Sequence, residues 1–342
     1  MLEIRDRYAV GVVGATGAVG REMVRLLDDR EFPFESLRLL ASPRSVGETV
    51  FAGRRELAVE ALTPESFDGL DLALFSAGSE VSREMAPEAV ERGCVVVDNS
   101  SAWRGDPRVP LVVPEVNPDD LADYASRGIV ANPNCSTIQM VIALKPLADM
   151  AGLRRVVVTT YQSVSGAGQK GIDELSGQVR ALLTGQAVEL GVHPHQVAFN
   201  CLPHIGDFRE DGYTTEEWKL VDESRRILGM PTLEVAPTAV RVPVFSGHSE
   251  ALAIETIEPL EIDEARQALA SADGVTVLDD PERNIYPMPF HSTGKDGVFV
   301  GRIRRDPDRE HVLHIWVTAD NVRKGAALNA VQIAQLLVEQ YA

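Results

Sequence analysis

The chain has 342 residues, 44% of them hydrophobic and 25% charged, and Asp and Glu outnumber Lys and Arg to a formal net charge of −18. That size and composition give room for two packed cores and exclude a disordered chain. The acidic balance argues against nonspecific binding to nucleic acid or an anionic membrane, but leaves open a cleft whose local arginines hold a small anion. Cys94, Cys135 and Cys201 show no CxxC spacing, so neither a metal site nor a disulfide framework is expected. The start, Met1 to Asp6, lacks the charged-then-apolar pattern of a signal peptide, and no apolar run approaches transmembrane length; a cytoplasmic protein is expected.

Tyr8 to Val13 reads as a short buried strand that runs through Gly14-Ala15-Thr16-Gly17-Ala18-Val19-Gly20 into an amphipathic helix from Arg21 to Leu27, the opening of a βαβ unit. Apolar strands follow at Leu37 to Ala41, Leu70 to Phe75, Val95 to Asp98 and Ile129 to Ala131, with a helix from Glu80 to Arg92. This alternation predicts an α/β fold with a doubly wound parallel sheet. A helix begins at Cys135 and carries Ile138, Val141, Ile142 and Leu147. Beyond it the rhythm changes to longer β-rich runs at Arg155 to Ser163, Leu233 to Val244, Ser249 to Ile257, Val298 to Arg304 and Val312 to Thr318. Helices are expected near Ile172 to Leu183, Thr215 to Leu228 and Ile262 to Ala270. These segments predict a second domain on an antiparallel or mixed sheet. The last segment, Gly325 to Gln340, is helical and must bury its stripe of Leu328, Val331, Ile333, Leu336 and Leu337 against something else, with the first domain as the candidate.

Gly14, Gly17 and Gly20 follow a strand and open a helix, the context in which glycines let a backbone approach a pyrophosphate at a helix N-terminus. The spacing GxxGxxG departs from the GxGxxG fingerprint, so a tight structural turn is the alternative. At the end of the second strand, where an NAD-binding protein places an acid on the ribose hydroxyls, the chain has Ala41-Ser42-Pro43-Arg44-Ser45. Nothing there repels a 2′-phosphate, and Arg44 with the hydroxyls of Ser42 and Ser45 could bind one, which favours NADP over NAD. An exposed turn with an incidental arginine is the other reading.

Cys135 stands in Asn132-Pro133-Asn134-Cys135-Ser136-Thr137, where loop residues give way to a helix. Unpaired N–H groups and the positive end of the helix dipole stabilise a thiolate there, and the thiolate is the nucleophile. A small buried hydrophobe behind an Asn134 N-cap is the competing reading. Gln162, near the end of an otherwise apolar strand, needs a polar partner and could orient a carbonyl or a water. His248 can exchange protons near neutral pH, and Arg241 offers a planar fork for a carboxylate. Each alone has a structural alternative. His193 and His195 lack a third ligand at recognisable spacing and read as loop residues.

Taken together and in order, GATGAVG, ASPRSVGE, DNSSAWR, LVVPEVN, NPNCSTIQ, YQSVSGAG, EEWK, RVPVFSGHSE and ADNVRKGAALNAVQIA resemble the bacterial aspartate-β-semialdehyde dehydrogenases over nearly the whole chain. The resemblance implies a Rossmann-like NADP-binding domain, 1–134, completed by a C-terminal helix, 323–342, and an α+β catalytic and dimerisation domain, 135–322. It implies interconversion of L-aspartate 4-semialdehyde plus inorganic phosphate with L-4-aspartyl phosphate, on the route to lysine, methionine and threonine, by a homodimer. Carried over by motif, Cys135 is the nucleophile, His248 the general acid/base, and Gln162 a positioning group for the thiol intermediate. Arg241 binds the substrate carboxylate and Glu216 its ammonium group, with Glu217 as an alternative; Arg104, Asn134 and Lys219 form the phosphate pocket. The cofactor contacts fall on Gly14, Thr16, Gly17, Ala18, Val19, Ser42, Arg44 and Ser45, with Asn321 beside the nicotinamide amide. Trp103 departs from the smaller residue usual before the arginine. The rival readings are an N-acetyl-γ-glutamyl-phosphate reductase, against which an ammonium partner such as Glu216 argues, and a noncatalytic nucleotide-sensing protein.

Overall fold

A computed structural model describes residues 2–341; Met1 and Ala342, the outer limits of the expected nucleotide-binding domain, lie outside the described residues. The chain divides into two compact units, one running through Asn134 and resuming at Ala326, the other spanning Cys135–Gly325.

The first unit contains β1 (Tyr8–Val13), α1 (Ala18–Asp29), β2 (Phe34–Ala41), β3 (Thr49–Ala52), β4 (Arg55–Ala61), β5 (Leu72–Phe75), α2 (Ser79–Glu91), β6 (Val95–Asp98) and β7 (Ile129–Ala131). Its sheet has the order β3-β4-β2-β1-β5-β6-β7, with every pair parallel except the antiparallel β3–β4. The strand order reverses at β1, between β2 and β5, so the loops beyond Val13, Ala41 and Phe75 cluster at a topological switch point. Central strands such as β5 and β6 are buried at every position, because a parallel sheet is covered on both faces. The β3–β4 hairpin departs from the expected purely parallel sheet. Its sequence, with Glu56 and Glu60 exposed, carries the polar signature of an edge rather than an apolar run.

The C-terminal helix Leu328–Gln340 belongs to this unit, and Leu328, Val331, Ile333 and Leu337 enter a core with Val12, Met23, Leu27 and Leu74. Burying each side chain contributes roughly 1.5–3 kcal/mol, which is what holds a helix that could not hide this stripe alone. Asn329 of the same helix donates to the carbonyl of Val112 (3.0 Å) and to Oδ1 of Asn132 (2.6 Å), and so braces the segment that leads into Cys135.

The second unit contains α3 (Cys135–Ala151), β8 (Leu153–Gln162), α4 (Gln169–Leu183), α5 (Thr215–Ile227), β9 (Glu234–Arg241), β10 (His248–Thr256), α6 (Ile262–Ser271), β11 (Val275–Val277), β12 (Val298–Arg305) and β13 (Val312–Ala319). Its mixed six-stranded sheet has the order β11-β12-β13-β10-β8-β9, parallel only at β8–β9 and β11–β12. Helix α3 lies against β8, β10, β12 and β13. The two-residue period then turns Val156, Val158, Thr160 and Gln162 of β8, with His248, Glu250, Leu252 and Ile254 of β10, into the buried face. The opposite face carries Val157, Tyr161, Ala251 and Trp316, with the Tyr161 and Trp316 rings 5.3 Å apart. Among the described residues, no helix is long and apolar enough to cross a membrane.

Candidate active site

The glycine-rich turn is built for close approach. Gly14 has φ +82°, and a Cβ there would lie 2.5 Å from the Ser76 carbonyl oxygen; a Cβ on Gly20 would lie 2.2 Å from the carbonyl oxygen of Gly14. Only glycine fits at either position, so α1 starts tightly against the turn, with Gly17 as its N-cap and no acid in its first turn. Thr16, Ala18 and Val19 are half-buried along this edge. Across from them, Pro43–Ser45 forms a short 3₁₀ turn after β2; Ser45 Oγ is 3.4 Å from Thr16 Oγ1, and Ser42 and Arg44 are exposed. These residues fit a dinucleotide, since the turn presents backbone and a helix N-terminus to a pyrophosphate and the second-strand end presents a cation and hydroxyls.

Arg104 and Asn134 also lie in the first unit. The guanidinium is braced by its own loop, Nε donating to the Asn132 carbonyl (2.9 Å) and Nη2 to that of Asn99 (3.0 Å), and Asn134 is buried.

The second unit brings five elements to one connected set of side chains. Cys135 opens α3 and is half-buried; a Cβ on Gly325 would stand 2.9 Å from the Cys135 Cβ, so glycine at that position leaves room beside the thiol. From the end of β8, buried Gln162 donates through Nε2 to Glu216 Oε1 (3.1 Å), and less closely to Ser136 Oγ and Thr160 Oγ1 (both 3.4 Å). Ser136 Oγ also donates to Glu216 Oε1 (3.4 Å), and Lys219 Nζ lies 2.9 Å from Glu216 Oε2. Lys219 therefore faces a carboxylate one helical turn away.

The neighbouring Glu217 is occupied differently. Its Oε2 accepts from the Thr214 N–H (2.8 Å) in a capping box, and its Oε1 accepts from the Ala239 N–H of β9 (2.9 Å). Those bonds fasten the start of α5 to β9, leaving Glu216 as the acid of this pair that joins the cluster.

Arg241, at the end of β9, is buried; its Nη1 donates to the Ser163 carbonyl (2.6 Å), while Nε meets no partner. Burial disfavours its charge, and the charges of Glu216 and Cys135 oppose that effect. An arginine so placed holds its proton regardless and gives a thiolate at Cys135 an electrostatic partner.

His248, the first residue of β10, is wholly buried. Its Nδ1 accepts from the Ser163 backbone N–H (3.1 Å) and lies 3.0 Å from Ser163 Oγ, while Nε2 is buried with no partner. Burial, then the charge of Arg241, press the ring's pKa from 6.5 down to about 3, against a smaller opposing effect of Glu216. Asn321 is buried nearby: its Oδ1 accepts from Ser163 Oγ, Ser165 Oγ and the Gly247 N–H (3.1, 3.1 and 3.0 Å), and its Nδ2 donates to Ser165 Oγ (2.9 Å). Ser163 thus touches the histidine, the arginine and the asparagine. No sequence signal marks it, because two of those contacts use its backbone.

His193 belongs elsewhere: its Nδ1 lies 2.8 Å from Glu174 Oε2, fastening the 191–193 loop to α4. Cys94 is buried and its thiol pKa is raised by burial, whereas Cys201 is exposed in a loop. No cluster of metal-ligating side chains occurs among the described residues.

Two family models match the chain: the NAD-binding domain of semialdehyde dehydrogenases over residues 9–124 and their dimerisation domain over residues 144–324. The chain belongs to the semialdehyde dehydrogenase family. It is 55% identical to the aspartate-semialdehyde dehydrogenase of Aquifex aeolicus, over 97% of this chain and 98% of that one. It is 50% identical to the enzyme of that name from Bacillus subtilis, over 96% of each. Aspartate-semialdehyde dehydrogenase II of Vibrio cholerae, solved in complex with ASA, superposes with a TM-score of 0.96 at 48% identity, covering 99% of this chain and 100% of that one. The enzyme of Candida albicans, solved with NADP, gives 0.74 at 26% identity, covering 97% and 98%. As a member of this family the chain is an oxidoreductase with an NAD-binding and a dimerisation domain, and the Rossmann-like and mixed-sheet architecture expected from its sequence is present.

Proposed function

We propose that the chain interconverts L-aspartate 4-semialdehyde plus inorganic phosphate with L-4-aspartyl phosphate, using NADP and a covalent intermediate on Cys135. The observation that carries this reading is the connected set of Cys135, Gln162, Glu216, Arg241 and His248, delivered by five different elements. A nucleophile, a cation and an anion spaced around one buried site suit an aldehyde attached to a zwitterion.

In the oxidative direction the Cys135 thiolate, favoured by the N-terminus of α3 and by Arg241, adds to the aldehyde carbon and forms a thiohemiacetal. Arg241 binds the substrate carboxylate, and Glu216, rather than Glu217, binds its ammonium group. Gln162, anchored on Glu216, keeps the adduct in place, and His248 serves the former carbonyl oxygen. The nicotinamide, held through Gly14, Thr16, Gly17, Ala18, Val19 and Asn321, supplies hydride chemistry when bound. Arg44, Ser42 and Ser45 favour NADP by receiving its 2′-phosphate. Arg104, Asn134 and Lys219 hold the inorganic phosphate that releases the acyl group from Cys135. Dividing one acyl transfer into thioester formation and phosphorolysis lowers each barrier.

A second copy of the chain covers the outer face of the second sheet, where Val157 is 40% exposed beside Tyr161 and Trp316. The match of this unit to a dimerisation domain supports that partner. Sedimentation at micromolar concentration reads a dimer if this is right and a monomer if it is wrong.

The reaction is tested by phosphate-dependent NADPH formation with aspartate semialdehyde and with N-acetylglutamate semialdehyde, in the wild type and in Cys135→Ala. Turnover of the first substrate alone, abolished in the variant, is expected. Turnover of the second alone, or activity surviving in the variant, overturns it.

A further inference from the structure

One layer deeper than the catalytic side chains lies a polar pair that the reaction does not use. Gln139 is wholly buried on α3 and Glu250 is wholly buried on β10, two elements packed against one another. Gln139 Oε1 and Nε2 and both carboxyl oxygens of Glu250 meet no hydrogen-bond partner among the described residues. Groups so deeply buried are normally paired, because an unmet donor or acceptor gives up its water for nothing. The neighbours in the sheet do not supply the pairing. Val317 of β13 and Thr160 of β8 flank Glu250, but the valine side chain has no polar atom, and Thr160 Oγ1 is engaged by Gln162 Nε2 and the Val240 N–H (both 3.4 Å). The remaining partner for each residue is the other. Gln139 approaches closely enough to oppose the effect of burial on the carboxyl, and the last side-chain torsion of Glu and Gln is soft enough to bring the two groups into register.

Their chemistry selects the protonation state. A carboxylate only accepts, so it would use the amide N–H and set its second oxygen against Gln139 Oε1. A carboxylic acid closes the ring instead: its O–H donates to Gln139 Oε1 while Gln139 Nε2–H donates to its carbonyl oxygen, and all four atoms are paired. The surroundings favour that form. His248, two residues along the same face of β10, is itself held neutral by burial, and no charged group among the described residues offsets the effect of burial on the carboxyl.

The pair is also placed to matter for catalysis. Gln139 follows Cys135 by four residues, one turn of α3 and about 6 Å along the same helix face. Glu250 follows His248 by two residues, about 7 Å along the same face of β10. A tie between them sets the helix that starts with the nucleophile against the strand that starts with the histidine. We propose that Gln139 and Glu250 form a neutral acid–amide clasp between α3 and β10 that holds Cys135 and His248 in register. Both are positioning residues. The inference rests on the reaction assigned above and adds what keeps its two reacting side chains aligned.

Two measurements test it. The infrared difference spectrum of wild type minus Glu250→Gln at neutral pH should show the C=O band of a protonated carboxylic acid, and that band should move in Gln139→Leu, which removes its partner. A carboxylate band alone, or an acid band that Gln139→Leu leaves in place, overturns the clasp. Single-turnover NADPH formation from aspartate semialdehyde reads the alignment. Gln139→Leu should slow it about 10- to 100-fold while the half-saturating substrate concentration changes by less than about threefold, since misaligned reacting groups cost rate rather than binding. Glu250→Gln, which pairs amide with amide, and the exchange Gln139→Glu/Glu250→Gln, which rebuilds the acid–amide pair in reverse, should each stay within about threefold of the wild-type rate, far above the loss that misalignment brings. An unimpaired Gln139→Leu, or an exchange variant as slow as a broken clasp, contradicts the inference. Should Gln139→Leu not fold, the acid band of the wild type and the rate of the exchange variant still decide it. A wild type that does not turn over aspartate semialdehyde would sink the reaction assignment and leave the infrared result standing.

Discussion

The suppressed basicity of His248 makes a prediction about folding that does not depend on catalysis. In the folded chain the ring charges only near pH 3, whereas in the unfolded chain it charges near its ordinary 6.5. Above 6.5 both states hold a neutral ring, and the stability contribution is complete. As the pH falls below 6.5 the unfolded state binds a proton that the folded state refuses, so stability drops by about 1.4 kcal/mol per pH unit until the folded pKa is reached. At about pH 5 that amounts to roughly 2 kcal/mol, and over the whole window to roughly 5 kcal/mol. His248→Gln removes this titration and leaves every other histidine in place. Urea unfolding of wild type and variant, followed by circular dichroism at about pH 7 and pH 5, should show the wild type losing about 2 kcal/mol more than the variant on acidification. Parallel losses would mean that the folded ring charges as readily as a free histidine, and would refute the account of its burial.

Glu250 reverses that sign. It is wholly buried on β10, neither oxygen reaches hydrogen-bond geometry, and burial holds its pKa well above the usual 4.5 despite the approach of Gln139. Its contribution is complete below about 4.5 and is lost as the pH rises toward the folded value, by about 1.4 kcal/mol per unit. Glu250→Gln should therefore gain stability relative to wild type between pH 4.5 and neutrality in thermal scans, and a constant difference would count against a neutral buried acid. Gly20→Ala, which would force a Cβ to 2.2 Å from the Gly14 carbonyl oxygen, should weaken NADP binding measured by fluorescence titration while leaving Cys135 reactive to a thiol probe; unchanged binding contradicts the close-approach argument. Arg44→Ala should reduce the preference for NADP over NAD in kcat/KM, and an unchanged ratio would remove Arg44 from the 2′-phosphate site.

What could be read from the residues follows from which physical signal each part carries. Strands such as β5 and β6, apolar at every position because both faces are covered, announce themselves. The β3–β4 hairpin did not, because β4, made of Arg55-Glu56-Leu57-Ala58-Val59-Glu60-Ala61 beside the edge strand β3, is mostly exposed and charged and lacks the apolar run of a central strand. Cys135 stood out by its place at the start of a helix and Gln162 as a polar residue in an otherwise apolar strand, whereas Arg241 and His248 stood out by their side-chain chemistry. Ser163 did not, since it works through its main chain, and main-chain direction has no sequence signature. Glu250 could have been found from the two-residue period, which sets it in line with His248, Leu252 and Ile254. The ambiguity between Glu216 and Glu217 needed coordinates, because adjacent helical residues differ only in the direction they face.

The central claim is that Cys135 carries an acyl thioester resolved by phosphate. Mixing the enzyme with aspartate semialdehyde and NADP in phosphate-free buffer should give a stoichiometric burst of NADPH and an acyl adduct at Cys135 by intact mass. Added phosphate should then discharge that adduct as aspartyl phosphate and start steady turnover. Steady NADPH formation at the same rate without phosphate, or a burst that leaves Cys135 unmodified, would contradict it.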